Sequence, residues 1–252
     1  MNCISCGNSE FLIYSEKTSL GIPSFKCKQC GLIVTGSSVL ETKKAISNIY
    51  HNQFWDFQRE HVPINFDYTD PISRSKYRNF ISQFKFCKPY FNEKKILEIG
   101  SGEGQTIYWL DQMGYEVTEI EPDNRNVTQV NPKLKNSLVI QGFIEDFQDD
   151  KKYDVIWMSH VLEHLVEPEI LLNRIKKNLN ENGIFFIEVP NSDHQSTLND
   201  SIFLSPHVYH FSKDTLSNLC KRTGFRIIDC KIFRPATKIE AILNRLTKSV
   251  IE

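Results

Sequence analysis

The sequence predicts an α/β fold, a doubly wound and mostly parallel sheet with helices on both faces, preceded by a small module of its own. From about residue 93 onward, strand-like and helix-like segments alternate, which is the pattern such sheets require. A glycine-rich turn, Gly100-Ser101-Gly102-Glu103-Gly104, directly follows a hydrophobic strand and opens a helix. Two tight cysteine pairs stand before residue 31, in a segment with too little apolar surface to fold unaided. With 252 residues the chain can bury one full core and still carry a small appendage.

Residues 1–38 are turn-rich, with β-type runs at Phe11-Leu12-Ile13-Tyr14 and Leu32-Ile33-Val34. Cys3-Ile4-Ser5-Cys6-Gly7 and Cys27-Lys28-Gln29-Cys30-Gly31 are separated by 20 residues. Each pair can clasp a metal through one tight turn, and the following glycine frees backbone amides toward the sulfurs. Four thiolates in tetrahedral array suit Zn²⁺ and leave no open position, so Cys3, Cys6, Cys27 and Cys30 are expected to ligate structural zinc in a ribbon. Of the seven cysteines, the scattered Cys87, Cys220 and Cys230 read as small apolar core residues.

Residues 39–92 turn helical and aromatic, forming an expected cover. Its clearest helix starts near Asp70, with Pro71 in the first turn and Tyr77, Phe80, Ile81 and Phe84 on one face. The main domain, residues 93–235, begins with a buried strand at Lys95-Ile96-Leu97-Glu98-Ile99. A helix follows over Gln105 to Met113, with Gly114 as its stop. Further strands are expected at 115–120, 137–141, 153–158 and 184–189. A helix from Pro168 is expected to run through Leu179 and to end at Asn182-Gly183. Ser212 can cap another helix that leaves at Gly224, and 225–232 forms one more strand. Residues 236–252 read as an amphipathic helix: Thr237 and Glu240 resemble a capping box, and Ile239, Ile242, Leu243, Leu246 and Val250 share a face.

Composition narrows the partners. The formal net charge is −1, so no global field draws the chain to nucleic acid or anionic lipid. No apolar run approaches the roughly 18 residues of a membrane span. Met1-Asn2-Cys3-Ile4 lacks the pattern of a signal peptide, and a cytoplasmic location is expected.

The glycine turn separates two cofactors. A dinucleotide fingerprint beginning at Gly100 requires glycine at 105, where Gln105 stands. The third glycine is Gly104 instead, and Glu98 precedes the turn by two positions. This E-x-G-x-G-x-G arrangement resembles motif I of class I, Rossmann-like S-adenosylmethionine-dependent methyltransferases. The resemblance runs from about 93 to 232 and implies that Glu98, Gly100, Ser101 and Gly102 hold the cofactor. It places Glu121 on the ribose hydroxyls and the Ile144 backbone or Glu145 at the adenine, where many relatives have an acid in place of Phe143. It sets Ser159 and His160, within Trp157-Met158-Ser159-His160-Val161-Leu162-Glu163-His164, beside the methionine portion. His164 reads equally as a further site residue or as a structural histidine.

The cysteine module joined to such a core is similar to nucleotide-sugar C-methyltransferases, which carry an N-terminal zinc domain and then helices bearing tyrosines. That similarity implies a substrate or cofactor role for Tyr50. No Asn/Asp-Pro-Pro-Tyr/Phe follows the fourth strand, which argues against methylation of exocyclic base amines. Ser205-Pro206-His207-Val208-Tyr209-His210-Phe211 follows the fifth strand. His207 or His210 is expected as general base and Tyr209 as a substrate contact, for a histidine suits a sugar hydroxyl or an acidic carbon. The expected acceptor is a small molecule, a nucleotide-linked sugar or a surface-polysaccharide (capsule) precursor. Two alternatives remain: an RNA methyltransferase gripping RNA through the zinc module, and a non-catalytic cofactor-binding protein. Against RNA, only Lys26 and Lys28 stand close to the cysteine turns.

Overall fold

The computed structural model describes residues 1–49, 67–68, 71–91, 95–233 and 237–245. Two compact units emerge. The second unit takes its described residues from 67–159, 174–186 and 244–245. Its strands β4 (Lys95–Ile99), β5 (Glu116–Glu121), β6 (Leu138–Gln141) and β7 (Tyr153–Ser159) stand in the order β7-β4-β5-β6, with the start of β8 (Leu179–Pro190) beside β7. The pairs β4–β5, β4–β7 and β5–β6 are all parallel. Ile96, Leu97, Val155, Ile156 and Trp157 are fully buried, as strands covered on both faces demand.

Helix α2 (Pro71–Cys87) belongs to this unit, as does α3 (Gln105–Gln112). Phe80 of α2 lies against Trp109 of α3 and Trp157 of β7, with ring centroids 5.3 and 6.4 Å apart. Such aromatic contacts fix a helix by area and by ring geometry together. The expected cover therefore divides: α2 serves the parallel sheet, whereas α1 (Val39–Ile49) belongs to the first unit. Tyr50 lies outside the described residues.

The first unit comprises residues 1–49, 160–173 and 187–243 among those described. Strands β1 (Phe11–Ser15), β2 (Ser24–Cys27), β3 (Ile33–Thr35) and β9 (Tyr209–His210) make an antiparallel sheet in that order. Ile33 pairs with His210 and Val34 with Tyr209, and Ser19 N donates to Ile202 O at 2.9 Å. Residues 1–38 are therefore not a freestanding module, and their sheet is completed from the loop carrying the histidines. Helix α7 (Lys213–Arg222) starts at Ser212, the cap its sequence predicts, and the structure completes a capping box in which the Ser212 hydroxyl accepts from Thr215 N.

Two expectations fail. The helix from Pro168 stops early: α5 is Pro168–Ile175, a 3-10 turn covers Lys176–Asn178, and Leu179 already begins β8. The apolar run of α5 and the head of β8 share one spacing, so periodicity alone joined them. Nor does the C-terminal helix form among the described residues, and Leu246 and Val250 of its expected face lie outside them. Lys238–Arg245 is strand β11, lying between β10 (Phe225–Phe233) and β8. Ile239, Glu240, Ala241, Ile242 and Leu243 are all buried. An inner strand covered on both faces can place apolar residues at any spacing, including a helical one.

Candidate functional site

The glycine turn leaves β4 with three residues in the left-handed region, Gly100 at φ +67°, Gly102 at +62° and Gly104 at +75°. Only glycine adopts these angles without strain. The two later glycines are needed for different reasons. A Cβ on Gly104 would come within 2.5 Å of Val130 Cγ2, whereas one on Gly102 would meet nothing within 4 Å. Gly104 is set by packing; Gly102 borders open space.

Beneath the turn lie three buried carboxylates. Glu98 and Glu119 are register partners on the parallel β4–β5 ladder, and Glu121 follows two residues on, on the same face. Ser101 donates to Glu119 from its amide at 3.2 Å and also from its hydroxyl. Glu121 accepts from Gly102 N at 3.2 Å and from Asp123 N at 2.9 Å. Among the described residues no hydrogen-bond donor reaches Glu98 Oε2 or Glu119 Oε2. Burial pushes Glu121 up to about 7 and Glu119 to about 8, and holds Glu98 well above the carboxylate range. Unsatisfied buried acceptors beside open space fit a ligand that brings hydroxyl donors and positive charge. S-adenosylmethionine brings both.

The other expected cofactor residues are placed as follows. Ile144 is buried and Glu145 exposed, and the Arg174 guanidinium takes the carbonyls of both. Ser159 ends β7 and accepts from Gln83 Nε2 at 3.3 Å. His160, in the first unit, is a non-glycine residue at φ +56°, a conformation that persists only when its surroundings over-determine it. Here its amide donates to Glu188 O at 2.9 Å, and its ring lies 3.1 Å from Glu188 Oε1 and 3.3 Å from Glu163 Oε1. Burial opposes its charge, but the two carboxylates win and raise its pKa to about 9.

Within the first unit the expected histidines gather in one cluster. Ser201 Oγ lies 2.7 Å from both His207 Nδ1 and His210 Nδ1. His210 Nε2 is 3.1 Å from Thr35 Oγ1, so both its ring nitrogens are engaged. His164 stands edge-on to His207, their ring centroids 4.5 Å apart. Burial pushes His207 and His210 down to about 3, so both are neutral. Tyr209 is buried and donates its hydroxyl to Val166 O at 3.0 Å.

The four cysteine sulfurs also converge, all lying within 4.8 Å of one another. Cys3 and Cys30 sulfurs are 3.5 Å apart, Cys6 and Cys27 3.6 Å. An ion bound at about 2.3 Å by four sulfurs sets them about 3.8 Å apart. The two turns are alike: Gly7 N donates to Cys3 O and Gly31 N to Cys27 O, at φ +81° and +78°. The donor set fits zinc.

Sequence reasoning passed over Glu119, Glu163, Glu188 and Ser201. A second acid two positions before Glu121, and so on the same face of the strand, was the available signal for Glu119. Glu163 stands in His160-x-x-Glu163-His164, a spacing that groups three polar side chains on a turn.

Residues 73–229 match the family described as "Methyltransferase domain". The ubiquinone biosynthesis O-methyltransferase of Pelagibacter ubique is 33% identical over 150 residues, covering 55% of this chain and 60% of that protein. The tRNA U34 carboxymethyltransferase of Campylobacter jejuni is 25% identical over 175 residues, covering 64% and 60%. The chain thus spans about 60% of the length of these curated relatives. A solved SAM-dependent methyltransferase from Archaeoglobus fulgidus shares the fold, with a TM-score of 0.58 at 17% identity over 67% of this chain and 94% of that one. Both the matched stretch, more than half of the chain, and the glycine turn over its buried acids lead to one conclusion: the chain belongs to the methyltransferase-domain family.

Proposed function

We propose that the chain methylates a small-molecule acceptor, a nucleotide-linked sugar or a surface-polysaccharide precursor, at oxygen or at an acidic carbon. The observation that carries this reading is the pairing of β3 with β9. It joins the paired-cysteine segment, which together with the core carries the likeness to nucleotide-sugar methyltransferases, to the histidine-bearing loop in one sheet. The O-methyltransferase name of the Pelagibacter relative supports transfer to oxygen.

When bound, S-adenosylmethionine supplies a methyl group already activated by its sulfonium. Glu121 accepts the ribose hydroxyls, while Glu98 and Glu119 answer the positive charge from below the turn. Ser159 and His160 border the methionine portion, and Ile144 and Glu145 the adenine. Zn²⁺ on Cys3, Cys6, Cys27 and Cys30 staples β1–β3 and leaves no open position for chemistry. Activation of the acceptor belongs to the cluster around His207, with Tyr209 at the acceptor's edge; a role for Tyr50, outside the described residues, rests on the resemblance alone. His210 braces that cluster through Ser201, because both of its own nitrogens are engaged.

The Campylobacter relative's name favours a second reading, methyl transfer to RNA. A net charge of −1 weighs against it. One experiment separates the two. The purified chain is incubated with methyl-labelled S-adenosylmethionine and an extract divided into small-molecule, glycan, RNA and protein fractions. Label is expected in the small-molecule or glycan fraction; label in RNA or protein instead overturns the proposal.

A further inference from the structure

Glu163 is 1% exposed, and among the described residues neither carboxylate oxygen accepts a hydrogen bond. Leaving a buried carboxylate so served is costly unless a cation answers it. His160 Nδ1 approaches Oε1 to 3.3 Å without the alignment of a hydrogen bond. His207 Nε2 lies 3.9 Å from the same oxygen. Ligand atoms of Glu163, His164 and His207 all lie within 4.8 Å of one another.

The protons on these rings can be traced from their partners. His164 Nδ1 faces the carbonyl of Pro206 at 3.2 Å, and a carbonyl only accepts, so Nδ1 carries the proton and Nε2 the lone pair. Ser201 has one hydroxyl proton and two imidazole neighbours. If it donates to His210 Nδ1, it accepts from His207 Nδ1–H, and His210 Nε2–H then donates to Thr35. In that circuit His207 Nε2 turns a lone pair toward Glu163. One nitrogen of each imidazole and the carboxylate then converge, with their ligand atoms within 4.8 Å of one another. Each histidine is also held at its far nitrogen by an oxygen, the support that ligating histidines ordinarily have.

We infer that Glu163, His164 and His207 form a second metal site, binding a divalent transition ion such as Zn²⁺ through one carboxylate oxygen and two imidazole nitrogens. Atoms bound to one such ion at about 2.1 Å lie about 3–4 Å apart, so small side-chain rotations close the set. Two histidines and one carboxylate leave a fourth position open, unlike the closed cysteine site. A hydroxyl bound there would have its pKa lowered and would give up its proton to solvent water, so that His207 need not take it. The inference stands on the cluster and not on the identity of the acceptor.

The test titrates Co²⁺ into the full-length chain, stripped of metal and kept reduced. The first equivalent is expected to give thiolate-to-cobalt charge transfer from the cysteine site. The second is expected to stay bound through gel filtration and to add only weak d–d absorption. Glu163→Gln, which keeps shape and removes charge, should keep the first equivalent and lose on the order of 100-fold affinity for the second. His207→Gln should do the same, and circular dichroism with S-adenosylmethionine binding certifies that each variant is folded. Retention of only one ion by the native chain overturns the inference. So does a second ion that persists unchanged in either folded variant.

Discussion

Glu121 sits under the glycine turn as a carboxylate whose ionisation burial resists, with its pKa near 7 and that of Glu119 near 8. Ribose hydroxyls donate to a carboxylate and favour its charged form, so cofactor binding should expel protons from these groups. The sign follows: affinity for S-adenosylmethionine should rise as pH goes from about 6 to about 8 and level off above. Titration calorimetry in two buffers of different ionisation heat would detect the released proton. Glu121→Gln should flatten the lower part of that rise and cost about 1.5–3 kcal/mol of binding, the worth of hydrogen bonds to a charged group. Affinity that fell with pH would mean that the acids bind the cofactor protonated. Glu121 was legible in the sequence because its place at a strand end, 17 residues after Gly104, has a known chemical use. Glu119 was not, since nothing in a single strand announces that Glu98 will be its register partner on the next.

Strand β11 shows what periodicity leaves open. Ile239, Ile242, Leu243 and Leu246 read as a helix face, yet Lys238–Arg245 is an inner strand with five consecutive residues buried. Burial on both faces erases the alternation that would have revealed it. The parallel strands β4 to β7 were found because short apolar runs there are punctuated by glycine turns and capped helices. Around β11 such marks are missing. The two readings predict different mutational costs. As an inner-strand residue, Leu243→Ala should cost about 2–5 kcal/mol in denaturant unfolding. Thr237, whose carbonyl accepts from Asn191 N at 2.8 Å, serves through its backbone. Thr237→Ala should therefore stay within about 0.5 kcal/mol, whereas loss of a helix cap would cost about 1 kcal/mol. The opposite order of costs would restore the helix.

At the scale of the whole molecule, the chain order conceals how the first unit is built. The cysteine pairs announce a metal-stapled segment, but β3 finds its last partner in β9, some 175 residues downstream. No local signal encodes a pairing of that separation, so residues 1–38 looked like an appendage when they supply three of the four strands of a shared sheet. The consequence is physical: a staple that fixes β2 and β3 also fixes the edge on which Tyr209 and His210 sit. Cys30→Ser removes one thiolate and should weaken metal binding and the folding coupled to it. Hydrogen exchange in this variant is expected to quicken in β2 and β3 and, with them, at Tyr209 and His210. Glu98, Glu121 and the glycine turn belong to the other unit. Affinity for S-adenosylmethionine should accordingly change little, while turnover, which the proposed function assigns to the histidine cluster, should fall. Exchange confined to residues 1–35, with β9 still protected and turnover intact, would return the cysteine segment to the status of an independent module.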